Sequence, residues 1–328
     1  RIIGYDEVPA EPLVGEIPPG RPGSDRDLAE RLRDVLVAAG LQEVINYSLV
    51  SRELLDRIPG LAVEPIKVTN PLSVEQEYLR PTLRASVLQN AAANQRWSPE
   101  SLRFFEVDKT FHPREGDLPD ERRQVVGLIA GLRRRPSWFG QLEKVDFYDA
   151  KGIVEAILDS VQVPNVRFEP GNDDLFHPGK VARVLSGDLI LGGVGEVHPL
   201  IVDQFDLDVR PMYLFELEVS ALLAAQTATT TYIPLPRFPA VVQDLALVVD
   251  RDVPAGALQS ALAEADLVAS VELFDVYEGD PLPPGRKSLA YHISYQSPDR
   301  TLTDADVQSV QDELVRRMHD RFGATLRG

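Results

Sequence analysis

The regular alternation of apolar and polar positions is clearest in the last third of the chain. Residues 241–249 and 268–276 are rich in β-branched and apolar side chains, and 288–295 alternates as Ser, Leu, Ala, Tyr, His, Ile, Ser, Tyr, so three strands are predicted. Between the first two, Pro254 stands at a helix start, followed by Leu258, Leu262 and Ala265 at helical spacing. After the third, Thr303 and Asp306 have the spacing of a capping box, and Val307, Val310, Leu314 and Met318 make an apolar stripe behind it. Arg316, Arg317 and Arg321 fall near the negative end of that helix, and Gly323 stops it before a short strand ending at Leu326. The order βαββαβ predicts a four-stranded antiparallel sheet with both helices on one face and the other face open.

The first two thirds show weaker but consistent patterning. Ser24 is the expected N-cap of an amphipathic helix with Leu28, Leu32, Val35 and Leu36 on one side, ending near Gly40. Strands are predicted at 43–49, near 64–68, and at 102–107, 124–130, 166–169, 182–186, 189–197 and 213–219, with helices at 83–97 and 151–160. This order fits an α+β domain with a mostly antiparallel sheet better than alternating βα units.

Composition narrows the function classes. With 328 residues, 44% of them hydrophobic, the chain can build two or three cores, and the absence of cysteine excludes disulfides and thiolate zinc sites. No run resembles a membrane span or a signal peptide, so the cytoplasm is the expected compartment. Starting at Arg1, the sequence reads as an excised piece whose opening RIIGYDEVP is the end of an earlier domain. The net charge is −17, and residues 236–328 hold nine basic against fifteen acidic side chains. Such acidity argues against strong nonspecific affinity for nucleic acid, so any bound RNA needs local cations or a partner to meet its phosphates.

FPAVVQDLALVVD from Phe238, LFDVYEG from Leu273, GRKSLA from Gly285 and DRTLTD from Asp299 together resemble the ferredoxin-fold anticodon-binding domain that closes the beta chain of bacterial phenylalanyl-tRNA synthetase. The resemblance implies that the first anticodon base lies between Tyr277 and Ser288, and the second near Asp275 and the Ala246 backbone. Chemistry agrees: an unstacked base needs an aromatic plane and short polar groups that read its edge. Where the family shows Arg-Asp-Leu, this chain has Gln243, Asp244 and Leu245, which puts a phosphate contact in doubt; Arg237 and Arg286 are the candidate replacements.

The rest of the chain resembles the synthetase-like domain of the same beta chain, through GLQEVINYSL from Gly40, NPLS from Asn70, LRPTL from Leu79, LRFFEVDKTF from Leu102, DAKGIVEAIL from Asp149, FHPGKVA from Phe176 and GEVHP from Gly195. Three segments follow: 1–20 as the end of an upstream domain and a linker, 21–231 as a catalytically inactive class II synthetase-like antiparallel-sheet domain, and 236–328 as the ferredoxin-like domain. Class II cores present Phe-Arg-x-Glu on a strand so that the arginine binds the ATP α-phosphate. Aligned on Glu106, this chain has Phe104 at that place and Arg103 one residue off, where a strand points it to the opposite face. In the third motif region, Glu216 and Glu218 would repel phosphate.

The resemblance therefore implies a noncatalytic scaffold that pairs with the catalytic alpha subunit in an alpha2beta2 heterotetramer and helps recognise tRNA(Phe). ATP and Mg2+ would serve the assembly, with no cofactor, catalytic residue or metal assigned to this piece. The helix 25–38 and the strand reaching Ser48 are the expected interface. His177 and His198, each followed by proline, read as turns rather than metal ligands, and Gly192, Gly193 and Gly195 as close-packing positions in a strand. Arg133, Arg134 and Arg135 form a basic knot in a loop beside Trp138, read as solvated or as a phosphate contact. Two rival functions stay open on sequence alone, an independent ATP-dependent acid ligase and a ferredoxin-like regulatory protein that binds a small molecule.

Overall fold

The computed structural model describes residues 2, 4–9, 11–12, 14–15, 25–134, 136–227, 232 and 234–327. The expected N-cap Ser24 and the third arginine of the basic knot, Arg135, lie outside these residues, as does much of the segment read as a linker. The chain divides into two compact units, Arg1–Thr229 and Thr230–Gly328.

The first unit opens with helix α1 (Asp25–Ala38), followed by two short strands, β1 (Gln42–Glu43) and β2 (Leu49–Val50), then α2 (Arg52–Asp56), β3 (Tyr78–Leu79) and α3 (Arg84–Asn94). Two long strands β4 (Ser101–His112) and β5 (Asp120–Gly131) lead to α4 (Phe147–Ser160), β6 (Val166–Pro170), β7 (Phe176–Ser186), β8 (Leu189–Val197), α5 (Pro199–Gln204), β9 (Met212–Glu218) and α6 (Val219–Ala225). Seven strands form one sheet in the order β1-β4-β5-β9-β8-β7-β6. Every pairing is antiparallel except β1 with β4.

Alternation along the strands sends apolar residues to both faces, and a helical layer covers each. On one face Phe105, Val107, Val125, Phe215 and Leu217 pack with Leu32 and Leu36 of α1 and with residues of α4 and α6. On the other, Phe104, Val126, Leu128 and Leu214 pack with α2, α3 and α5. Burying each large aliphatic or aromatic side chain contributes roughly 1.5–3 kcal/mol, which is why these alternating positions dictate the sandwich. A Cβ on Gly127 would lie 2.1 Å from Cζ of Phe215, so only glycine lets that ring cross the sheet. Gly195 has the same role beside the Lys180 carbonyl, 2.8 Å from where its Cβ would fall.

Three expectations are corrected here. The strand expected at 43–49 is two short pieces, because Asn46 between them directs its backbone N–H and Nδ2 to the Glu106 carboxylate (3.3 and 2.8 Å). The strand near 64–68 reduces to a single bridge from Lys67 to Tyr78. Val219 does not end a strand but opens α6.

The second unit contains β10 (Val241–Asp250), α7 (Ala255–Ala263), β11 (Val268–Tyr277), β12 (Arg286–Tyr295), α8 (Asp304–Phe322) and β13 (Thr325–Leu326). The sheet order β11-β12-β10-β13, all antiparallel, is the ferredoxin-like arrangement. The Thr303 hydroxyl accepts from Asp306 N and the Asp306 carboxylate accepts from Thr303 N, completing the capping box, while Gly323 takes φ 61° and ends the helix. Both helices bury their apolar stripes on Leu245, Leu247, Val249, Leu289, Tyr291 and Ile293. Burial of Tyr291 raises its phenol pKa, and the hydroxyl donates to the Ala255 carbonyl at 2.9 Å.

Candidate nucleic-acid interface

Because odd-numbered residues of β10 and β12 face the helices, their even-numbered neighbours line the other face, with no helix of the unit's core packed on them. Cross-strand register arranges that open face in rows. Val248, Ser288 and Tyr277 form one row, Ala246, Ala290 and Asp275 the next, and Asp244, His292 and Glu272 a third. A bulge between Leu273 and Asp275 inserts Phe274 and turns its ring onto His292.

The first row has the most unusual environment. Ser288 is 1% exposed, and its hydroxyl has no hydrogen-bond partner among the described residues. Its cross-strand neighbour Tyr277 is held at two points: the phenol donates to the Asp280 carbonyl, and the Arg327 guanidinium lies over the ring, 4.8 Å from the centroid. Arg327 is anchored by its own N–H, which donates to the Ala246 carbonyl at 3.0 Å. The result is a fixed aromatic plane with a cation on its face and an unused buried hydroxyl beside it.

Of the sequence-derived candidates, Tyr277, Ser288, Asp275 and Ala246 therefore share one face, in adjacent rows. Arg286 also points this way, but its guanidinium is engaged with Asp250 at 3.1 Å. Arg237 is not brought to them. It precedes Phe238, whose carbonyl accepts from Gln296 just beyond the far end of β12, about eight residues from Ser288 and on the order of 25 Å along the strand. Gln243, the departure from the family pattern, stands on the helix-bearing side between Val241 and Leu245 with its Oε1 buried and unpaired, so no charge is missing from the open face.

In the first unit, the region comparable to a nucleotide site is filled from within. Glu106 is 1% exposed and binds the fully buried Arg80 at 2.6 Å, and Arg80 also holds Asp108 at 2.6 Å. Arg84 bridges Glu216 (2.6 Å) and Asp173 (2.8 Å), and Gln124 donates to Glu218 at 2.5 Å. Phe104 is buried in the apolar layer on the Glu106 side, whereas Arg103 reaches the Arg133 carbonyl on the opposite side. A triphosphate would meet carboxylates here, and the guanidiniums present are already neutralised. His177 and His198 stack at 6.4 Å, and each Nδ1 accepts a backbone N–H, from Gly179 and Leu200. That assigns the proton to each Nε2 and makes the pair a turn device.

Comparison with known proteins meets this geometry. The family model described as the phenylalanyl tRNA synthetase beta chain CLM domain matches residues 8–219, and the ferredoxin-fold anticodon binding domain matches 236–327. The chain belongs to the phenylalanyl-tRNA synthetase beta-chain family. The phenylalanine–tRNA ligase beta subunits of Geobacillus kaustophilus and Bacillus subtilis are 38% and 35% identical to it over the whole of this chain. It covers 41% of each of those two proteins, so it spans about two fifths of the length of the curated relatives it matches. Two pyrrolysyl-tRNA synthetase structures from Desulfitobacterium hafniense superpose with TM-scores of 0.48 at 14% and 12% identity, over 60% and 64% of this chain and 65% and 75% of theirs.

Three residues of this open face carried no clear signal in the sequence. Arg327 lies just past the terminal strand, and its position over Tyr277 depends on β13 pairing with β10 two strands away. Phe274 reads as an inward strand position until the bulge is known. His292 is one member of the 288–295 alternation, and its even register with Ser288 was the available signal.

Proposed function

We propose that this chain is the scaffolding and anticodon-reading part of a phenylalanyl-tRNA synthetase beta subunit. The observation that carries the reading is the first row of the open sheet face, where an immobilised tyrosine plane adjoins a buried serine hydroxyl that no described residue satisfies. A base stacking at Tyr277 would supply that hydroxyl with a partner, and Asp275 would accept from the edge of the next base. Arg327, and Arg286 if released from Asp250, would meet phosphates, which an otherwise acidic chain requires.

In this reading the chemistry belongs to the alpha subunit, which would use ATP with Mg2+ to attach phenylalanine to tRNA(Phe). The ion-paired face in the first unit supports a noncatalytic role, with no fit for ATP among its residues, and disfavours an independent ligase. The anticodon-binding family match disfavours the regulatory small-molecule alternative. In a heterotetramer, α1 and the segment through Ser48 would meet the alpha chain; Val37, Ile45 and Tyr47 are exposed apolar side chains there, suited to burial on a partner. A cytoplasmic location follows from this role, and no helix among the described residues is long and apolar enough to cross a membrane.

The test is binding of tRNA(Phe) to the full beta subunit assembled with its alpha partner. Replacing the first anticodon base is expected to weaken binding by about 1–3 kcal/mol. Equal affinity for both RNAs would contradict the assignment.

A further inference from the structure

We propose that Phe274, His292 and Asp244 form an additional base-binding subsite on the open sheet face, adjoining the row of Asp275 and Ala246. The inference rests on the anticodon-reading assignment above and extends it to a further nucleotide of the same RNA strand.

The three side chains make a built surface. The rings of Phe274 and His292 are parallel within 11° and 3.9 Å apart between centroids. His292 is bonded from Nδ1 to the Asp244 carboxylate at 2.6 Å, directly opposite in register. An ionised carboxylate only accepts, so Nδ1 donates to Asp244 and fixes the orientation of the imidazole ring against Phe274. Phe274 is 46% exposed and the His292 side chain 42%, so the stacked pair keeps open surface instead of closing into a core.

Position supplies the occupant. Ser288, Ala290 and His292 are successive same-face residues of β12, spaced about 7 Å apart. A single sheet face of this size stacks two or three unpaired bases in RNA-recognition folds. With rows one and two assigned to two bases, row three continues the same track and repeats the aromatic plane of row one. A base on the free face of Phe274 would stack as a third layer on the Phe274–His292 pair, with the imidazole fixed behind the phenyl ring by Asp244. Phosphate contact is disfavoured there because Asp244, Glu272 and Asp275 are all on this face. The bulge that exposes Phe274 has a direct consequence in this reading, since without it the ring would face the helices.

The experiment uses the full beta subunit assembled with its alpha partner, carrying Phe274→Leu, His292→Ser or Tyr277→Ala, and tRNA(Phe) transcripts made abasic at one anticodon-loop position at a time. Leucine keeps apolar bulk and removes the plane. Phe274→Leu is expected to weaken binding of intact tRNA about five- to fiftyfold. That effect should vanish on one abasic RNA, and a different abasic position should silence Tyr277→Ala. His292→Ser should behave like Phe274→Leu with a smaller loss. If Phe274→Leu has no effect, or the same effect on every RNA, while Tyr277→Ala remains position-specific, the subsite is refuted and the anticodon assignment stands. If Tyr277→Ala is also silent, both fall. Unchanged urea midpoints for the variants separate loss of a contact from loss of the fold.

Discussion

The seven-stranded sheet carries helices on both faces and pairs its buried charges with one another, Arg80 with Glu106 and Arg84 with Glu216 and Asp173. The four-stranded sheet carries helices on one face and leaves Tyr277, Asp275, Phe274 and the unpartnered hydroxyl of Ser288 on the other. Both are mainly antiparallel sheets with alternating strands, so the architecture does not separate them. The difference lies in how buried charges are paired and in which faces are covered. A face whose buried arginines pair internally beneath a helical layer is stable and inert, whereas one that keeps an aromatic plane and no helical cover is open to a ligand.

Breaking the closed face should have the largest effect. Arg80→Ala leaves the Glu106 carboxylate buried without its partner and is expected to destabilise the protein by about 3–5 kcal/mol in urea unfolding, while Arg80→Met combined with Glu106→Leu should recover most of that loss. A destabilisation under about 1 kcal/mol for Arg80→Ala would show that the pair is solvated and the face not closed. Next comes Gly127→Ala, which drives a methyl group into the Phe215 ring and should cost about 1–3 kcal/mol.

A smaller, pH-dependent effect is expected at Glu218. Burial raises its pKa, and its Oε2 and the Oε1 of Gln124 are both buried without partners. A carboxyl raised in the folded state favours folding below its unfolded value of about 4.3 and loses that contribution as pH rises through the folded value. Glu218→Gln, which removes the buried charge and adds a donor for Gln124, should therefore stabilise by about 1 kcal/mol at pH 7 and give no gain at pH 4. The same gain at both values would locate its cause outside the ionisation. The smallest change in stability belongs to the open face: Ser288→Ala removes an unpaired buried hydroxyl, so the urea midpoint should stay the same or rise slightly while tRNA binding weakens. A marked loss of stability would mean that the hydroxyl has a structural partner.

How much of this was readable in the sequence depended on whether local patterning or distant pairing fixed each feature. The βαββαβ order, the Thr303–Asp306 capping box and the strand Leu189–Val197 follow from periodicity and caps, and all appear as expected. The opposite facing of Phe104 and Arg103 was legible because β4 and β5 pair without a bulge, so residue parity holds along the strand. Expectation failed where side chains from elsewhere intervened. Glu106 captures Asn46 and interrupts the strand expected at 43–49, and the pairing of β13 with β10 carries Arg327 to Tyr277. Arg237, chosen for its charge, lies by the opposite end of the sheet from Ser288, because sequence proximity to β10 does not say which end of that strand Ser288 adjoins.

The most direct test of the contrast between the two sheets is the affinity of the assembled Tyr277→Ala variant for tRNA(Phe), measured beside its urea midpoint. The account predicts binding weaker by about 1–3 kcal/mol with little change in stability, and no further loss when the first anticodon base is also removed. Undiminished binding by Tyr277→Ala, or a loss that adds fully to that of the missing base, would contradict it.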